Sequence, residues 1–426
     1  MTRRDSPPEN ADALDGVFRL QEDVFARKGL LEIGYAPEPR HIVARNEEIR
    51  RLATALNPAI GGGAPNNTFL YGKTGAGKSL CARYATGRIV DAASENGVSI
   101  ARATIDCSQE DTETRAVRAL AREINDPDET RIDVPETGFG RSRYYRLLWD
   151  VLDSRHDVAL VVLDEIDRLE NDELLLQLSR AEETGKLSRC SVGIVGISNK
   201  VRYRERLQER VKSSLQEREI IFAPYSRDDL REIIRSRSEA FRRGVLSDEV
   251  LSTCASLASE EHGDARKAIN LIRHAGELAV GEESETITVD HVQSADTLAE
   301  RDRFQTLFEG ATAQQKATLL AIVSLALVER SRTFRTTDVY AAYEDVCADA
   351  GLTVLSKRRV HDLLREWEFL EVLDITRTGD GRARGSYLRL HLIEDPSVIR
   401  PVFDESSRFA GVGPTSGATA TTWSNI

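Results

Sequence analysis

The sequence has few of the residues that build disulfide frameworks and metal centres. Only five of its 426 residues are cysteine, and they lie far apart with no CxxC pair. Its seven histidines form no HExxH motif. This scarcity argues against a disulfide-stabilised fold or a zinc site, and it is typical of a protein from a reducing cytoplasm.

Long apolar runs are also missing. No stretch approaches the roughly 20 apolar residues of a membrane-spanning helix, and the first ten residues lack the apolar core of a signal peptide. The composition, 40% hydrophobic and 30% charged, predicts a solvated globular protein. At roughly 150 residues per domain, the length allows about three domains. We therefore expect a cytoplasmic protein with no membrane partner.

Basic residues are outnumbered by acidic ones. Lysine and arginine total 58 against 70 aspartates and glutamates, which gives a net charge of −12. Phosphate contacts need lysine and arginine, so this average disfavours nucleic-acid binding, although local basic patches can persist within it. A halophilic cytoplasm would explain this acidic composition, because an acidic surface keeps a protein soluble in high salt.

Composition and apolar spacing divide the chain into five segments. We expect a disordered N-terminus, an α/β segment, an all-helical segment, a segment with the order of a winged helix, and a flexible tail. Their predicted bounds are 1–16, 17–222, 223–300, 301–400 and 401–426. Short bounded apolar runs in the second segment predict buried parallel strands with helices on both faces. These runs are 68–71, 100–105, 159–163, 192–197 and 219–222.

The strongest motif is GKTGAGKS at residues 72–79, directly after an apolar run. The pattern GxxxxGK[ST] between a strand and a helix is typical of loops that bind nucleoside triphosphates. Lys78 would neutralise the β- and γ-phosphates, and Ser79 would ligate Mg²⁺. The alternative is a chance glycine loop. The predicted contacts to ATP or ADP are Gly72, Lys73, Thr74, Gly75, Ala76, Gly77, Lys78 and Ser79.

Polar residues follow two later apolar runs. Asp164 and Glu165 come after run 159–163, at the carboxyl end of a predicted strand, where ligands bind in open α/β sheets. Asp164 is expected to bind Mg²⁺ and Glu165 to polarise the attacking water. Asn199 follows run 192–197 and is expected to hydrogen-bond the γ-phosphate or that water. The alternatives are an acidic surface turn and an ordinary turn asparagine.

Seven segments together resemble a known family. They are YAPEPRHIVARNEEI (35–49), NNTFLYGKTGAGKS (66–79), LVVLDEIDRL (160–169), GISNK (196–200), RVKSSL (210–215), IFAPY (221–225) and GDARKAINLIRHAGELA (263–279). In this order they resemble the archaeal replication initiators, AAA+ ATPases related to origin-recognition complex subunits and to the cell-division-control helicase loader. The resemblance covers residues 20–400. It implies an AAA+ base, a helical lid over 223–300 and a C-terminal winged helix.

The resemblance also implies roles for four further residues. Arg210 matches the arginine finger, which reaches the γ-phosphate of a neighbouring copy, and Arg266 matches the second sensor on the lid. Tyr225 and Arg237 match positions that contact the nucleotide between base and lid. The alternatives are a surface arginine for Arg210, a salt bridge for Arg266 and plain hinge packing for Tyr225. RSRSEAFRR offers several equivalents of Arg237.

The third large segment carries two basic clusters where a winged helix would meet DNA. Lys357, Arg358 and Arg359 begin a predicted helix over 356–369, the end that reaches base edges in helix-turn-helix docking. Arg377, Arg382 and Arg384 lie on a glycine-rich loop between two β-like runs, which suits contact with phosphates or a minor groove. The alternative is a solvated charged hairpin.

A second basic region separates two predicted strands, and it is long for a minimal ATPase core. It holds, among others, Arg115, Arg118, Arg122, Arg141, Arg143 and Arg146. The family carries an initiator-specific insertion there that touches DNA, but a solvated helix face explains each arginine equally well.

Together these features predict an ATP-dependent initiator that binds double-stranded origin DNA, helps recruit the replicative helicase, and uses slow ATP hydrolysis as a switch. Other copies of the initiator are further expected partners. The alternative is a transcriptional regulator with a structural nucleotide that never turns over. Steady-state release of phosphate distinguishes the two.

Overall fold

The computed structural model describes residues 24–32, 41–260, 263–379 and 386–413. The chain divides into two compact units between Val292 and Gln293. Within the described residues, no helix has the length and apolarity needed to cross a bilayer.

Helices and strands alternate through the first unit and continue into the second. The helices are α1 (Asn46–Leu56), α2 (Lys78–Glu95), α3 (Glu113–Ile124), α4 (Pro127–Thr130), α5 (Arg141–Arg155), α6 (Glu173–Ser179), α7 (Tyr203–Arg206), α8 (Glu209–Leu215), α9 (Arg227–Ser236), α10 (Asp248–Glu260), α11 (Ala265–Gly281), α12 (Val289–Gly310), α13 (Ala313–Glu329), α14 (Thr336–Asp349), α15 (Lys357–Phe369) and α16 (Pro396–Asp404). The strands are β1 (Thr68–Tyr71), β2 (Ile100–Asp106), β3 (Val158–Asp164), β4 (Ser191–Ser198), β5 (Arg218–Ile221), β6 (Thr333–Arg335), β7 (Leu373–Gly379) and β8 (Ser386–Leu392).

The base of the first unit is a parallel sheet in the order β2-β3-β4-β1-β5. The register pairs Asp106 with Asp164 across β2 and β3, and Tyr71 with Ser198 across β1 and β4. Since the carboxyl ends of parallel strands meet at one edge, these pairings bring the predicted acids, the predicted asparagine and the glycine loop to the same edge. The predicted α/β architecture is confirmed.

Both faces of the sheet are buried, which explains the continuous apolar runs. On β3, Leu160 and Val162 pack with α1 and α2, whereas Val161 and Leu163 pack with α3, α5 and α6. Successive side chains of a strand point to opposite faces, so a strand covered on both sides cannot alternate with polar residues.

The segment after β5 is helical, as its apolar spacing predicts. In α9, a capping box joins Ser226 to Asp229, and in α11 the side chain of Asp264 accepts hydrogen bonds from the first backbone N–H groups. These caps satisfy amide groups that have no partner inside the helix. The apolar face of α11 is buried at Leu271, Ile272 and Ala275.

The second unit has the order of a winged helix. Helix α15 agrees with its predicted bounds, 356–369, to within a residue, and Trp367 is buried in the core that α15 forms with α13 and α14. The sheet has the order β6-β8-β7. Sequence reasoning missed β6, because three residues with charged or polar neighbours are too short to show a strand period. The wing tip, residues 380–385, lies outside the described residues.

The sequence predicts a flexible tail from residue 401, but the chain packs against the winged-helix core as far as Val412. Helix α16 begins at Pro396 and buries Ile399, Val402 and Phe403, and Phe409 joins the same core. Apolar residues spaced three and four apart form one helix face. This short pattern lies next to a Gly/Ser/Thr-rich stretch, which hid it in the sequence.

Candidate phosphate-binding site and winged-helix surface

A cavity of about 350 Å³ opens at the carboxyl edge of the base sheet, between the glycine loop and the lid helices. The base contributes loop residues and strand ends, and the lid contributes one face of α9 and the start of α11. Its lining includes the predicted residues Thr74, Gly75, Gly77, Lys78, Ser79, Asp164, Glu165, Asn199, Tyr225, Arg237 and Arg266. The structure therefore brings together residues as far apart in the sequence as Thr74 and Arg266.

The glycine loop is in tight contact with the lid and its hinge. Gly75 and Gly77 have left-handed backbones, with φ angles of 71° and 87°. A Cβ at Gly75 would lie 1.8 Å from Oδ1 of Asp264, and one at Gly77 would lie 2.5 Å from the hydroxyl oxygen of Tyr225. Side chains at these two positions are therefore excluded both by backbone strain and by lack of space.

Lys78 is buried at the start of α2, and its ammonium group faces oxygen atoms. Nζ donates to the carbonyl oxygens of Gly72 (2.8 Å) and Lys73 (2.7 Å) and to Oδ1 of Asn199 (2.9 Å). The pKa of Lys78 is lowered to about 8, mainly by burial and to a smaller extent by Arg266, while Asp164 opposes the shift. A dehydrated cation beside the loop amides is suited to binding an anion.

The acids at the carboxyl end of β3 line the same cavity as the loop. The Asp164 carboxylate accepts a hydrogen bond from the backbone of Glu165 at 3.0 Å. Glu165 has a left-handed backbone (φ 50°) and lines the cavity. Burial opposes ionisation of Asp167, but hydrogen bonds from Lys200 and Ser198 outweigh it and lower its pKa. The Asp167 carboxylate thus holds the end of β4 through its contacts with Ser198 and Lys200.

The donor set at this edge fits magnesium better than a softer metal. Ser79 and Asp164 line one cavity, and the described residues hold no cluster of three or more histidine, cysteine or acidic side chains that could bind a metal alone. Mg²⁺ is commonly held by one or two oxygen ligands of the protein, with water and substrate phosphates completing the shell. The residues therefore fit a magnesium ion that arrives with a nucleotide.

The lid side of the cavity carries two of the predicted arginines. Arg266 is exposed at the start of α11 and lines the cavity. Arg237 is buried at the end of α9, and its Nη1 donates to the carbonyl of Leu30 at 2.8 Å. Arg237 is therefore the arginine of its basic stretch that reaches this cavity, a choice that the sequence left open.

Arg210 lies apart from the cavity in the described chain. It is on α8, its side chain is 56% exposed, and its Nη2 contacts the carboxylate of Glu173 at 3.1 Å. A solvent-facing position beside a weak surface ion pair leaves it available to a neighbouring molecule.

Sequence reasoning missed Arg45 and Asp106. Asp106 ends β2 beside Asp164 and lines the cavity. Arg45 is buried behind the loop and donates to the carbonyl of Ala76 at 2.9 Å. The position of Asp106 at the end of a predicted strand was an available signal. Nothing in the local sequence marks Arg45 as buried, because its partners are far away in the chain.

The basic end of α15 is exposed in the second unit. Ser356 caps this helix, and Lys357, Arg358 and Arg359 all face solvent. The opposite face of the helix is buried at Val360, Leu363, Leu364 and Trp367. Lys357 lies 5.3 Å from the centre of the Tyr340 ring, a cation–π contact that restrains its side chain.

The three other predicted DNA contacts belong to the wing. Arg382 and Arg384 lie outside the described residues, and so does the side chain of Arg377. For these three positions DNA contact stays a prediction.

Several arginines of the insertion between β2 and β3 form ion pairs within it. Arg118 contacts Glu110 at 3.3 Å, and Arg141 contacts Glu113 at 2.8 Å. Arg115 and Arg122 also contact acidic neighbours. Arg143 lies 5.6 Å from the ring centre of Phe139. These local partners support the solvated-face interpretation for the paired arginines.

Comparison with known proteins agrees with this arrangement. Residues 63–207 match the AAA domain, residues 231–297 match the Cdc6 AAA+ ATPase-type lid domain, and residues 306–401 match the CDC6 C-terminal winged helix domain. The three matches follow one another in the order that the sequence motifs predict.

Relatives match over nearly their whole length. ORC1-type DNA replication protein 4 of Halobacterium salinarum is 46% identical over 95% of this chain and 98% of its own. The ORC1-type DNA replication protein of Pyrococcus horikoshii is 36% identical over 89% and 90%. The structure of the Aeropyrum pernix ORC1 protein in complex with DNA has a TM-score of 0.70 and 33% identity, covering 91% of this chain and 98% of that one. The chain therefore belongs to the family of archaeal ORC1-type DNA replication proteins, as its motifs predict.

Proposed function

We propose that this protein is an ATP-dependent replication initiator that binds double-stranded origin DNA, helps recruit the replicative helicase, and uses slow hydrolysis of ATP to ADP as a switch. The observation that carries the proposal is the convergence of Lys78, Asn199, Asp164 and Arg266 on one cavity, in a chain that also exposes a basic helix end. Membership of the ORC1-type family supports the same conclusion.

For the nucleotide, the geometry supports a division of roles. Lys78 and the loop amides bind the phosphates, Ser79 and Asp164 hold the metal, and Asn199 and Glu165 orient the attacking water. A bound Mg²⁺ supplies charge neutralisation at the phosphates. The neighbouring lid residues Arg266, Arg237 and Tyr225 close over the nucleotide. The family resemblance assigns Arg210 to the γ-phosphate of a neighbouring copy, and its exposed position outside the lining of its own cavity is compatible with that role.

For DNA, the exposed residues Lys357, Arg358 and Arg359 supply the contact surface, together with the wing arginines Arg377, Arg382 and Arg384. The N-terminal end of the second helix of a helix-turn-helix reaches base edges, and a basic wing follows phosphates. The Aeropyrum pernix ORC1 protein, whose structure is a complex with DNA, supports this assignment as a relative that matches over most of its length. We assign the ATPase base to residues 17–222, the lid to 223–300 and the winged helix to the chain from residue 301 through α16 and Phe409, because these last residues share its core.

DNA binding is tested by charge removal on one helix. The full chain carrying Lys357→Ala, Arg358→Ala and Arg359→Ala is compared with Arg365→Ala, which removes an exposed charge from the other end of α15. Affinity for an origin duplex is measured against salt concentration. The triple variant should bind more weakly and lose about one unit of salt slope per lost phosphate contact. An unchanged slope with wild-type affinity would contradict the winged-helix assignment.

Helicase recruitment and the switch are tested together on an origin duplex. Retention of purified replicative helicase is measured with MgATP and with MgADP, for the wild type and for Glu165→Gln. The wild type should retain helicase with MgATP and lose it as ATP is consumed, whereas Glu165→Gln should keep it. Equal retention in both nucleotides would contradict the switch, and no retention in either would contradict recruitment.

A further inference from the structure

Arg45 is a buried cation that lies behind the phosphate-binding loop. It directly precedes α1 and follows Ala44, whose backbone is left-handed (φ 54°). Its side chain is only 5% exposed. In the described part of the chain it does not belong to the cavity lining. Burying a charge is costly unless its donors and its charge find partners, so the contacts of this guanidinium are informative.

The guanidinium joins three segments that are distant in sequence. Nε donates to the carbonyl oxygen of Ala76 at 2.9 Å, and Nη2 donates to that of Ala223 at 2.6 Å. Nη1 donates to the Glu48 carboxylate at 3.0 Å, which also supplies the opposite charge. One side chain therefore ties the glycine loop and the segment after β5 to helix α1.

The hydrogen bond to Ala76 sets the direction of a loop peptide. In a trans peptide, the C=O and N–H groups point in opposite directions. Because Arg45 holds the carbonyl of Ala76, the N–H of Gly77 in the same peptide points to the opposite side of the loop. Loops of this kind bind phosphate with backbone N–H groups. Arg45 thereby orients a phosphate-binding donor without touching the phosphate.

The same guanidinium stacks on the hinge between base and lid. Its central carbon lies 3.8 Å from the ring centre of Tyr225 and 5.5 Å from that of Phe222. Burial raises the pKa of Tyr225 to about 12, so its ring is a neutral phenol at physiological pH. A cation at this distance over a buried ring is a favourable contact.

From Tyr225 the contacts continue into the lid. The backbone N–H of Tyr225 donates to the carbonyl of Gly263 at 3.2 Å. Asp264 follows and caps α11, the helix that begins with Ala265 and Arg266. The N–H of Ala265 in turn donates to the carbonyl of Gly75 at 3.3 Å. Arg45 and the first turn of α11 thus hold the glycine loop from two sides.

We propose that Arg45 is the positioning residue that couples the phosphate-binding loop to the lid, so that a phosphate held by the loop and the placement of Arg266 depend on each other. The inference rests on the proposed nucleotide-binding function. It requires arginine rather than any cation, because a planar guanidinium can donate in three directions while its face stacks on a ring, and an ammonium group cannot.

The test uses the full chain and measures MgATP affinity by titration calorimetry for Arg45→Lys, Arg266→Ala and the double variant. Arg45→Lys keeps the charge, and we expect it to weaken MgATP binding by about tenfold, the loss that one charge-assisted hydrogen bond can cause. The loss caused by Arg266→Ala should shrink by roughly threefold or more in the Arg45→Lys background, because coupled residues are not additive.

Arg51→Lys is the matched control. Arg51 is on the same helix α1 and also donates to a backbone carbonyl, that of Glu219 at 2.9 Å, but at the exposed edge of β5. It should leave MgATP affinity unchanged. Thermal unfolding of each variant is recorded, and affinity is measured well below every melting temperature, so that a lower melting temperature alone does not count as coupling.

The outcomes separate this inference from the function on which it rests. Wild-type MgATP affinity in Arg45→Lys, or strictly additive losses in the double variant, would overturn the coupling while leaving the ATP site intact. Absence of MgATP binding in the unsubstituted protein would overturn the proposed function and the inference together. Weakened binding with non-additive losses supports both.

Discussion

The ammonium nitrogen of Lys78 lies 2.9 Å from the amide oxygen of Asn199, 121 positions later in the chain. The contact joins the loop after β1 to the end of β4, two neighbouring strands whose register pairs Tyr71 with Ser198. The cation that would bind phosphate and the amide that would orient water are therefore parts of one arrangement. Several properties of the protein should depend on it.

Nucleotide affinity should depend on pH because of Lys78. Burial lowers its pKa to about 8 in the free protein, whereas bound phosphates favour the charged form and raise the pKa again. Above about pH 8 binding must then take up a proton, so affinity should fall by up to about tenfold per pH unit. Titration calorimetry in buffers of different ionisation enthalpy measures both the affinity and the proton uptake.

Lys78→Arg is the control for this pH dependence, because arginine stays charged over the same range. Its weaker binding should be nearly independent of pH between about 7 and 10. An equally steep pH profile in Lys78→Arg would show that another group causes the dependence.

Glu165→Gln should separate binding from hydrolysis. The change keeps size and polarity but removes the base that polarises water, so MgATP affinity should stay close to that of the wild type while turnover falls by at least about a hundredfold. Steady-state release of phosphate measures turnover. Normal turnover would remove Glu165 from the catalytic assignment.

Gly77→Ala should damage the loop in two distinguishable ways. The new Cβ would lie 2.5 Å from the Tyr225 hydroxyl oxygen, and the backbone has a φ of 87°. Adding Tyr225→Phe removes the hydroxyl but not the backbone strain. MgATP affinity should therefore be strongly reduced in Gly77→Ala and partly restored in the double variant. No restoration would show that backbone strain alone determines the loss.

Trp367 should be the most sensitive single position in the winged-helix core. It is 1% exposed, and its Nε1 donates to the carbonyl of Gln315 at 3.1 Å and to the hydroxyl of Thr318 at 3.2 Å. Trp367→Ala should lower the free energy of unfolding of this unit by about 3–5 kcal/mol. Phe369→Ala on the same helix is the control, since Phe369 is 86% exposed. Scanning calorimetry of the full chain compares the two, and equal melting temperatures would contradict the packing account.

Much of the fold could be predicted because strong local patterns agree with it. The apolar runs predict β1 with its observed bounds and β3 to within a residue at each end, since a strand buried on both faces must be continuously apolar. Helix α13 was predictable too, because its sequence is rich in apolar residues. Thr312 and Gln315 form the capping box at its start. Two short elements have weak apolar periods and were not predicted. The strand β6 was missed, and the end of α16 was expected to belong to a flexible tail.

The candidate site was predictable where a short local motif contains the residue types that phosphate or metal binding needs. The loop at 72–79 and the acids after β3 belong to that class. Arg45 does not, because its burial depends on Ala76, Ala223 and Tyr225, which only the folded chain brings to it. The choice of Arg237 among neighbouring arginines likewise depends on the packing of α9.

ATP-dependent binding of origin DNA is tested most directly in two steps. The affinity of the full chain for ATP is measured with and without Mg²⁺, and the affinity for an origin duplex is then measured with and without bound ATP. The wild type should bind ATP with Mg²⁺ much more tightly than without it, Asp164→Asn should lose that difference, and ATP-bound protein should hold the duplex more tightly than Asp164→Asn does under the same conditions. Metal-independent ATP affinity shared by both proteins, or duplex affinity that does not change with the nucleotide, would show that a magnesium–ATP site does not control DNA binding by this protein.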